Sequence, residues 1–218
     1  MRRRTFSTAL LAGLGLAAVP APFRAAVTPS ARPLEILVLG GTGFLGPPTV
    51  EYALARGHRV TLFNRGKTNI HLFPDLEKLK GDRNDDISAL QAEVESGRRW
   101  DAVVDNTASI PRWVVDSTTA LRGATKLYLY TSSLSAYADH SQPNMDETAA
   151  ASDAPDADDG QLAAVFERLV EQALVLDLRA LVVGLHGAEH AAAPRESLEL
   201  GEHRFLDAIG ELLDQVGA

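Results

Sequence analysis

From Leu34 onward the chain alternates short apolar runs of strand length with segments whose apolar residues recur at helical spacing, the pattern of βαβ units and a parallel sheet. Residues 34–39 predict the first strand, and the run Ile36-Leu37-Val38-Leu39 is apolar without alternation, as suits a central strand covered on both faces. A glycine-rich stretch follows. Residues 47–56 then predict a helix whose two prolines fall in its first turn, where a missing N–H is tolerated, and Gly57 ends it. Strands are predicted over 58–63, 77–80, 101–105 and 126–131. Helices are predicted over 88–96 and over 113–122, the latter closed by Gly123.

Beyond Tyr137 the character changes. Residues 145–160 are rich in Asp and Ala with neither periodicity, and predict an acidic loop. Residues 161–174 resume a helix with Val165, Phe166, Leu169, Val170 and Ala173 on one face, 181–185 predict a sixth strand, and 203–216 a last helix with Phe205, Ile209, Leu212 and Leu213 at core spacing. Right-handed crossovers arrange the first five strands in the order 3-2-1-4-5, so the fold class is α/β with a doubly wound parallel sheet. This gives a leader over 1–31, a main domain over 34–185 and a short helical extension over 186–218.

With 218 residues the chain suffices for one well-buried α/β domain. A net charge of −8 disfavours a surface that tracks nucleic-acid phosphates and favours small-molecule partners. There is no cysteine, so disulfides, thiolate zinc sites and cysteine nucleophiles are excluded within these residues, a composition compatible with an oxidising compartment. At the amino terminus Arg2-Arg3-Arg4-Thr5-Phe6 precedes a Gly- and Ala-rich apolar run over 9–19, with Arg24 after it. The Arg3-Arg4-x-Phe6 pattern resembles a twin-arginine export signal, and the run is shorter than the roughly 20 residues a spanning helix needs. An exported or periplasmic location is therefore expected, with contact to a membrane only through an uncleaved leader.

The glycine-rich stretch carries the chemistry. A diphosphate approaches main-chain N–H groups at a helix start only where no Cβ intervenes. In Gly40-Gly41-Thr42-Gly43-Phe44-Leu45-Gly46, Gly40 permits the tight turn, Gly43 the approach of a pyrophosphate and Gly46 close packing of the helix. Flanked by a strand and a helix, the motif predicts a dinucleotide-binding Rossmann fold. The end of the second strand selects the cofactor: an acid there would bond the ribose 2′-hydroxyl, whereas a cation would accept a 2′-phosphate. Phe63-Asn64-Arg65-Gly66-Lys67 has no acid, so NADP(H) is favoured over NAD(H), with a solvated turn as the competing reading of Arg65 and Lys67.

Together with Asn64-Arg65-Gly66, Gly81-Asp82-Arg83 and Tyr130-Thr131-Ser132-Ser133, the glycine motif resembles the NAD-dependent epimerase/dehydratase family, the extended short-chain dehydrogenases. The likeness covers roughly residues 34–147. It implies that Asp82 contacts the adenine, that Asn106, Thr107 and Ala108 line the cofactor groove, and that Ser133 matches the catalytic serine. A polar strand end satisfying its own backbone is the other reading of Ser133. The family's general acid/base is a tyrosine assisted by a lysine four residues on. Tyr137 is the last tyrosine here and Lys126 the last lysine, so these residues hold no such pair after Ser133. Tyr137 and His140 lie close enough to replace it, although Tyr137 belongs to a Ser-x-Tyr stretch that many members carry in addition, which reads as structural. The family's Arg-Pro-Gly segment and most of its substrate lobe are also missing from the pattern.

Two classes of function follow: an oxidoreductase or epimerase acting on a small carbonyl or sugar-nucleotide substrate, and a degenerate member that holds the dinucleotide, or a partner, without turnover. RNA binding, known for distant relatives, is disfavoured by the acidic charge. His186-Gly187-Ala188-Glu189-His190 matches a zinc-peptidase pattern, but Gly187 follows a predicted strand rather than opening a helix, so chance in a loop is the reading taken. The acids from Asp146 to Asp159 read as a solvated loop, and no metal site is expected.

Overall fold

The structure, a computed structural model, describes residues 27–107, 110–132 and 179–184, together with the helical positions 206–207, 209–214 and 216. The leader, the acidic loop, the helix expected over 161–174, and the residues Ala108, Ser133, Tyr137, His140, His186 and His190 lie outside them. Among the described residues no helix is long and apolar enough to cross a membrane, and no group of side chains could hold a metal ion.

The elements follow in the order β1 (Glu35–Leu39), α1 (Gly46–Ala55), β2 (Arg59–Asn64), β3 (Glu77–Lys80), α2 (Ser88–Glu95), β4 (Ala102–Asp105), α3 (Pro111–Ala120), β5 (Leu127–Ser132) and β6 (Arg179–Gly184). All strands pair in parallel, in the order β3-β2-β1-β4-β5-β6. The predicted order is thus present, with the sixth strand added beside β5. The strand expected over 77–80 falls where it was predicted, and the other elements shift by one or two residues at one or both ends. The largest shift is in α3, which starts at Pro111 rather than at residue 113; Ile110 before it is extended (φ −128°, ψ 127°), as a residue preceding proline favours.

Alternation along the strands divides the core in two. Ile36, Val38, Val60, Leu62, Ala102, Val104, Leu127 and Leu129 pack on one face beneath Val50 and Ala53 of α1. Leu37, Leu39, Phe63, Val103, Tyr128 and Tyr130 pack on the other, beneath Leu90 of α2 and Val114 of α3. The carboxy-terminal helical positions cover the α1 face. Ile209 and Leu213 are buried in the same cluster as Leu34 and Val50, as their spacing predicts, and Leu206, Leu212 and Val216 flank them. Arg56 joins the two helices, pairing with Asp214 and lying 5.7 Å from the centre of the Tyr52 ring. At Gly210 a Cβ would collide with the Tyr52 hydroxyl, so only glycine permits this approach. Leu213→Ala should therefore lower stability by about 2–5 kcal/mol, read as a fall in the urea midpoint, whereas exposed Glu211→Ala should shift it by less than about 0.5 kcal/mol.

Beside this contact His58, itself buried, accepts the Leu34 N–H at Nδ1 (3.1 Å). Burial, and after it the Arg56 charge, lower its pKa, which favours the neutral ring that this acceptor role requires.

Candidate functional site

In an open parallel sheet the strand order reverses where neighbouring crossovers run to opposite sides, and a crevice opens there at the carboxyl ends of the strands. Here that point lies between β1 and β4. The β1–α1 loop, the end of β2, the turn after β3 and the residues after β4 enclose a cleft of about 340 Å³, within the range of small-ligand sites.

Each glycine of the loop has its own reason. Gly40 and Gly41 have φ of +109° and +86°, which side chains rarely adopt, and a Cβ on either would come within 2.6 Å of Thr107 Cγ2 or 2.7 Å of Leu62 Cδ2. Gly46 opens α1 so close beneath the loop that a Cβ would lie 2.5 Å from the Gly41 carbonyl carbon. Gly43 differs. A Cβ there would meet only Thr68 Cγ2, at 3.9 Å, so its bare face is turned to the cleft.

Pro47 and Pro48 carry no N–H, so the first turn of α1 offers few donors of its own. The donors lie just upstream: none of the main-chain N–H groups from Gly41 to Leu45 has an acceptor among the described residues, and the Gly46 N–H bonds Gly43 O at 2.8 Å. The side chains of Phe44 and Leu45 do not line the cleft. The Leu45 side chain is in the core, and Phe44 is exposed at φ +44°. A run of bare N–H groups before a helix suits an anion, and the gap at Gly43 suits one that approaches closely.

At the end of β2, Asn64 turns its side chain inward, Nδ2 donating to Gly40 O (3.4 Å) and Oδ1 accepting the Gly66 N–H (2.9 Å). Arg65 and Lys67, on the following loop, line the cleft, are exposed and have no partner among the described residues. Asp82 lines it from the turn after β3. One carboxylate oxygen takes the Asn84 N–H (3.1 Å), and the other has no partner among the described residues. Thr107 also lines the cleft, its methyl against Gly40. Asn106 is turned away, its side chain donating to Thr49 (3.2 Å) and accepting from Thr131 (2.8 Å). Of the residues expected at the site, Gly40, Thr42, Gly43, Asn64, Arg65, Lys67, Asp82 and Thr107 thus meet in one cleft, while Gly41 and Gly46 pack behind it.

Behind the cleft lies a buried polar cluster to which the sequence assigned no role, and of it Arg83 and Trp113 reach the cleft. Arg83 is buried and clamps Asp105 with two parallel bonds, at 2.7 and 2.8 Å. It also donates to Trp113 O and to Ser117 Oγ, both at 2.8 Å. The Tyr128 hydroxyl donates to Asp105 Oδ2 (2.6 Å), and Asp105 Oδ1 accepts the Thr107 N–H (3.2 Å). Burial works against the Arg83 charge, but the Asp105 carboxylate more than offsets it, and the pKa is raised. The same burial, then the same carboxylate, hold Tyr128 protonated far above its ordinary range. The Trp113 ring lies 5.6 Å from the Arg83 guanidinium and lines the cleft. The signal for this cluster was present: an acid closing the apolar run Ala102-Val103-Val104 is costly to bury in its charged form unless a cation or hydrogen-bond donors pair with it.

This arrangement defines the class: a doubly wound Rossmann domain with a glycine-lined cleft at its switch point. The family model for the NAD dependent epimerase/dehydratase family matches residues 36–158, more than half of the chain, and the chain belongs to that family. No curated protein sequence matches it. Among solved structures it is similar to the Bordetella bronchiseptica enzyme WbmG in complex with NAD. There the TM-score is 0.59 at 19% identity over 78% of this chain and 61% of that one. WbmH of the same organism, in complex with NAD+, gives 0.61 at 16% identity over 84% and 73%. The Thermus thermophilus UDP-glucose 4-epimerase complex with NAD gives 0.56 at 18% identity over 75% and 60%. The chain therefore spans about three-fifths of the length of WbmG. At these identities the likeness is one of fold.

Proposed function

We propose that this chain binds a nicotinamide dinucleotide, its diphosphate on the N–H groups of residues 41–45 and its adenine end between Asp82 and Trp113. The observation that carries this reading is the pairing of five N–H groups that lack an acceptor among the described residues with a glycine whose missing side chain leaves the cleft open. When bound, the cofactor supplies a nicotinamide ring that accepts or gives up hydride. The chain's own contribution is to hold and orient it: Gly43 gives access, Asn64 fixes the turn beside Gly40, and the Arg83–Asp105 pair sets Thr107 against the loop. Titration with NADPH and NADH, followed by fluorescence, tests the reading, and failure to bind either would end it.

The preference for NADP(H) rests on Arg65 and Lys67, which lack partners among the described residues and line the cleft just past the end of β2, the region that reads the ribose in dinucleotide-binding folds. The double variant Arg65→Ala/Lys67→Ala should weaken NADPH binding by at least about 10-fold, the worth of one or more charge-assisted hydrogen bonds, and change NADH binding by less than about twofold. Equal losses would leave the choice to NAD(H).

As for chemistry, Ser133 is the residue proposed to orient a small carbonyl or sugar-nucleotide substrate, on the family motif that it matches. The second reading, a protein that keeps its dinucleotide without turnover, is favoured by one observation, the lack of a Tyr-x-x-x-Lys pair after Ser133 in these 218 residues. Oxidation of bound NADPH by any member of a carbonyl panel, abolished in Ser133→Ala, separates the two.

A further inference from the structure

The crossover from β2 to β3 contains no helix. Residues 65–76 run as an irregular segment whose first part, Arg65 to Thr68, lines the cleft, and the chain pins it in place from within. The Lys78 ammonium donates to the carbonyls of Ile70 (3.3 Å) and Leu72 (2.7 Å), and the Leu72 N–H closes a turn on Asn69 O (3.0 Å). At the start of that turn Asn69 adopts φ +44°, a left-handed conformation that asparagine tolerates better than most residues. From there its side-chain amide donates to Thr42 O at 2.9 Å, in the middle of the glycine loop.

We infer that Asn69 is a positioning residue for the diphosphate cradle, acting through the Thr42–Gly43 peptide; the inference rests on the dinucleotide reading above. A trans peptide is rigid and planar, so fixing the Thr42 carbonyl also fixes the direction of the Gly43 N–H on the opposite side of the same plane. Little else holds this plane. Thr42 and Gly43 flank it, Gly43 has no side chain to resist rotation on its side of the plane, and no other hydrogen bond reaches the Thr42 carbonyl among the described residues. In the absence of the Asn69 amide the peptide can rotate and turn a carbonyl oxygen, rather than an N–H, toward an incoming phosphate. The cradle is thus organised before the ligand arrives, by a residue that need not touch it.

The test compares Asn69→Ala and Asn69→Asp with the full-length wild-type chain, measuring Kd for NADPH and NADH, displacement of bound NADH by ADP and by adenosine, and the thermal midpoint without ligand. Losing one neutral hydrogen bond should raise both dinucleotide Kd values about 3- to 10-fold in Asn69→Ala. The aspartate, which has no donor for Thr42 and adds a negative charge near the cradle, should lose more. The ratio of ADP to adenosine affinity should fall with the dinucleotides, because only ADP carries the diphosphate, while the midpoint moves by less than about 3 °C. Unchanged dinucleotide affinity in both variants would overturn the inference. So would equal losses for ADP and adenosine, which would mark a general collapse of the loop. If the wild type itself binds neither dinucleotide, the dinucleotide reading has failed and the inference falls with it, an outcome distinct from a wild type that binds and variants that match it.

Discussion

Gly43→Val is expected to remove dinucleotide binding almost entirely while leaving the protein folded. The backbone at Gly43 is not in the left-handed region, and the nearest atom to an added Cβ is Thr68 Cγ2 at 3.9 Å, so the side chain enters open cleft rather than protein. It occupies the space a diphosphate needs to reach the N–H groups around it. Two lost charge-assisted hydrogen bonds amount to about 3 kcal/mol, so Kd for NADPH and NADH should rise at least about 100-fold, with the thermal midpoint within about 2 °C of wild type. Gly46→Ala, in the same motif, should behave in the opposite way. Its Cβ would stand 2.5–2.8 Å from three main-chain atoms of Gly41, which cannot yield without moving the loop, so a stability loss of about 1–3 kcal/mol is expected. Fluorescence titration and thermal unfolding on the two variants separate the ligand-facing glycine from the packing one. Wild-type affinity in Gly43→Val would remove the diphosphate from this loop.

Asp105→Ala should be the most damaging substitution for stability among the residues near the cleft. Asp105 is fully buried, and its carboxylate is held by both terminal nitrogens of Arg83 and by the Tyr128 hydroxyl. Truncating it leaves the Arg83 charge buried without its carboxylate, served among the described residues by neutral groups such as the Trp113 carbonyl and the Ser117 hydroxyl. Breaking a buried pair from one side costs about 3–5 kcal/mol. Equilibrium urea unfolding measures this as a fall in midpoint. Tyr128→Phe, which removes a single donor, should cost nearer to about 1 kcal/mol. The cleft should suffer as well, because the Thr107 N–H loses its acceptor and the Thr107 methyl abuts Gly40. A loss under about 1 kcal/mol in Asp105→Ala would mean that the pair is not the buried clamp seen here.

Most of the frame was legible from residue pattern alone. Unbroken apolar runs marked the strands, prolines and glycines marked the helix ends, and the handedness of crossovers put β1 between β2 and β4. The helical spacing of Ile209 and Leu213 announced a buried face, but not that it would lie beside Arg56 and Tyr52 of α1. Asn106 was expected in the groove on its place in the motif. It turned inward instead, because Thr49 and Thr131 flank it and satisfy both ends of its amide.

What the sequence by itself determined about this protein is therefore the order of its elements, the doubly wound sheet and the glycine-rich strand-to-helix bend that borders the cleft. All of these depend on local conformational preference and on the period of apolar residues, which are written along the chain. Only the tertiary structure decided that Arg83, Asp105, Ser117 and Tyr128 meet in one buried cluster, and that Asn69 reaches back 27 positions to Thr42. Such contacts depend on how far apart separate elements come to rest and on which way each side chain turns, and these are set by the packing of both faces at once rather than by any local run of residues.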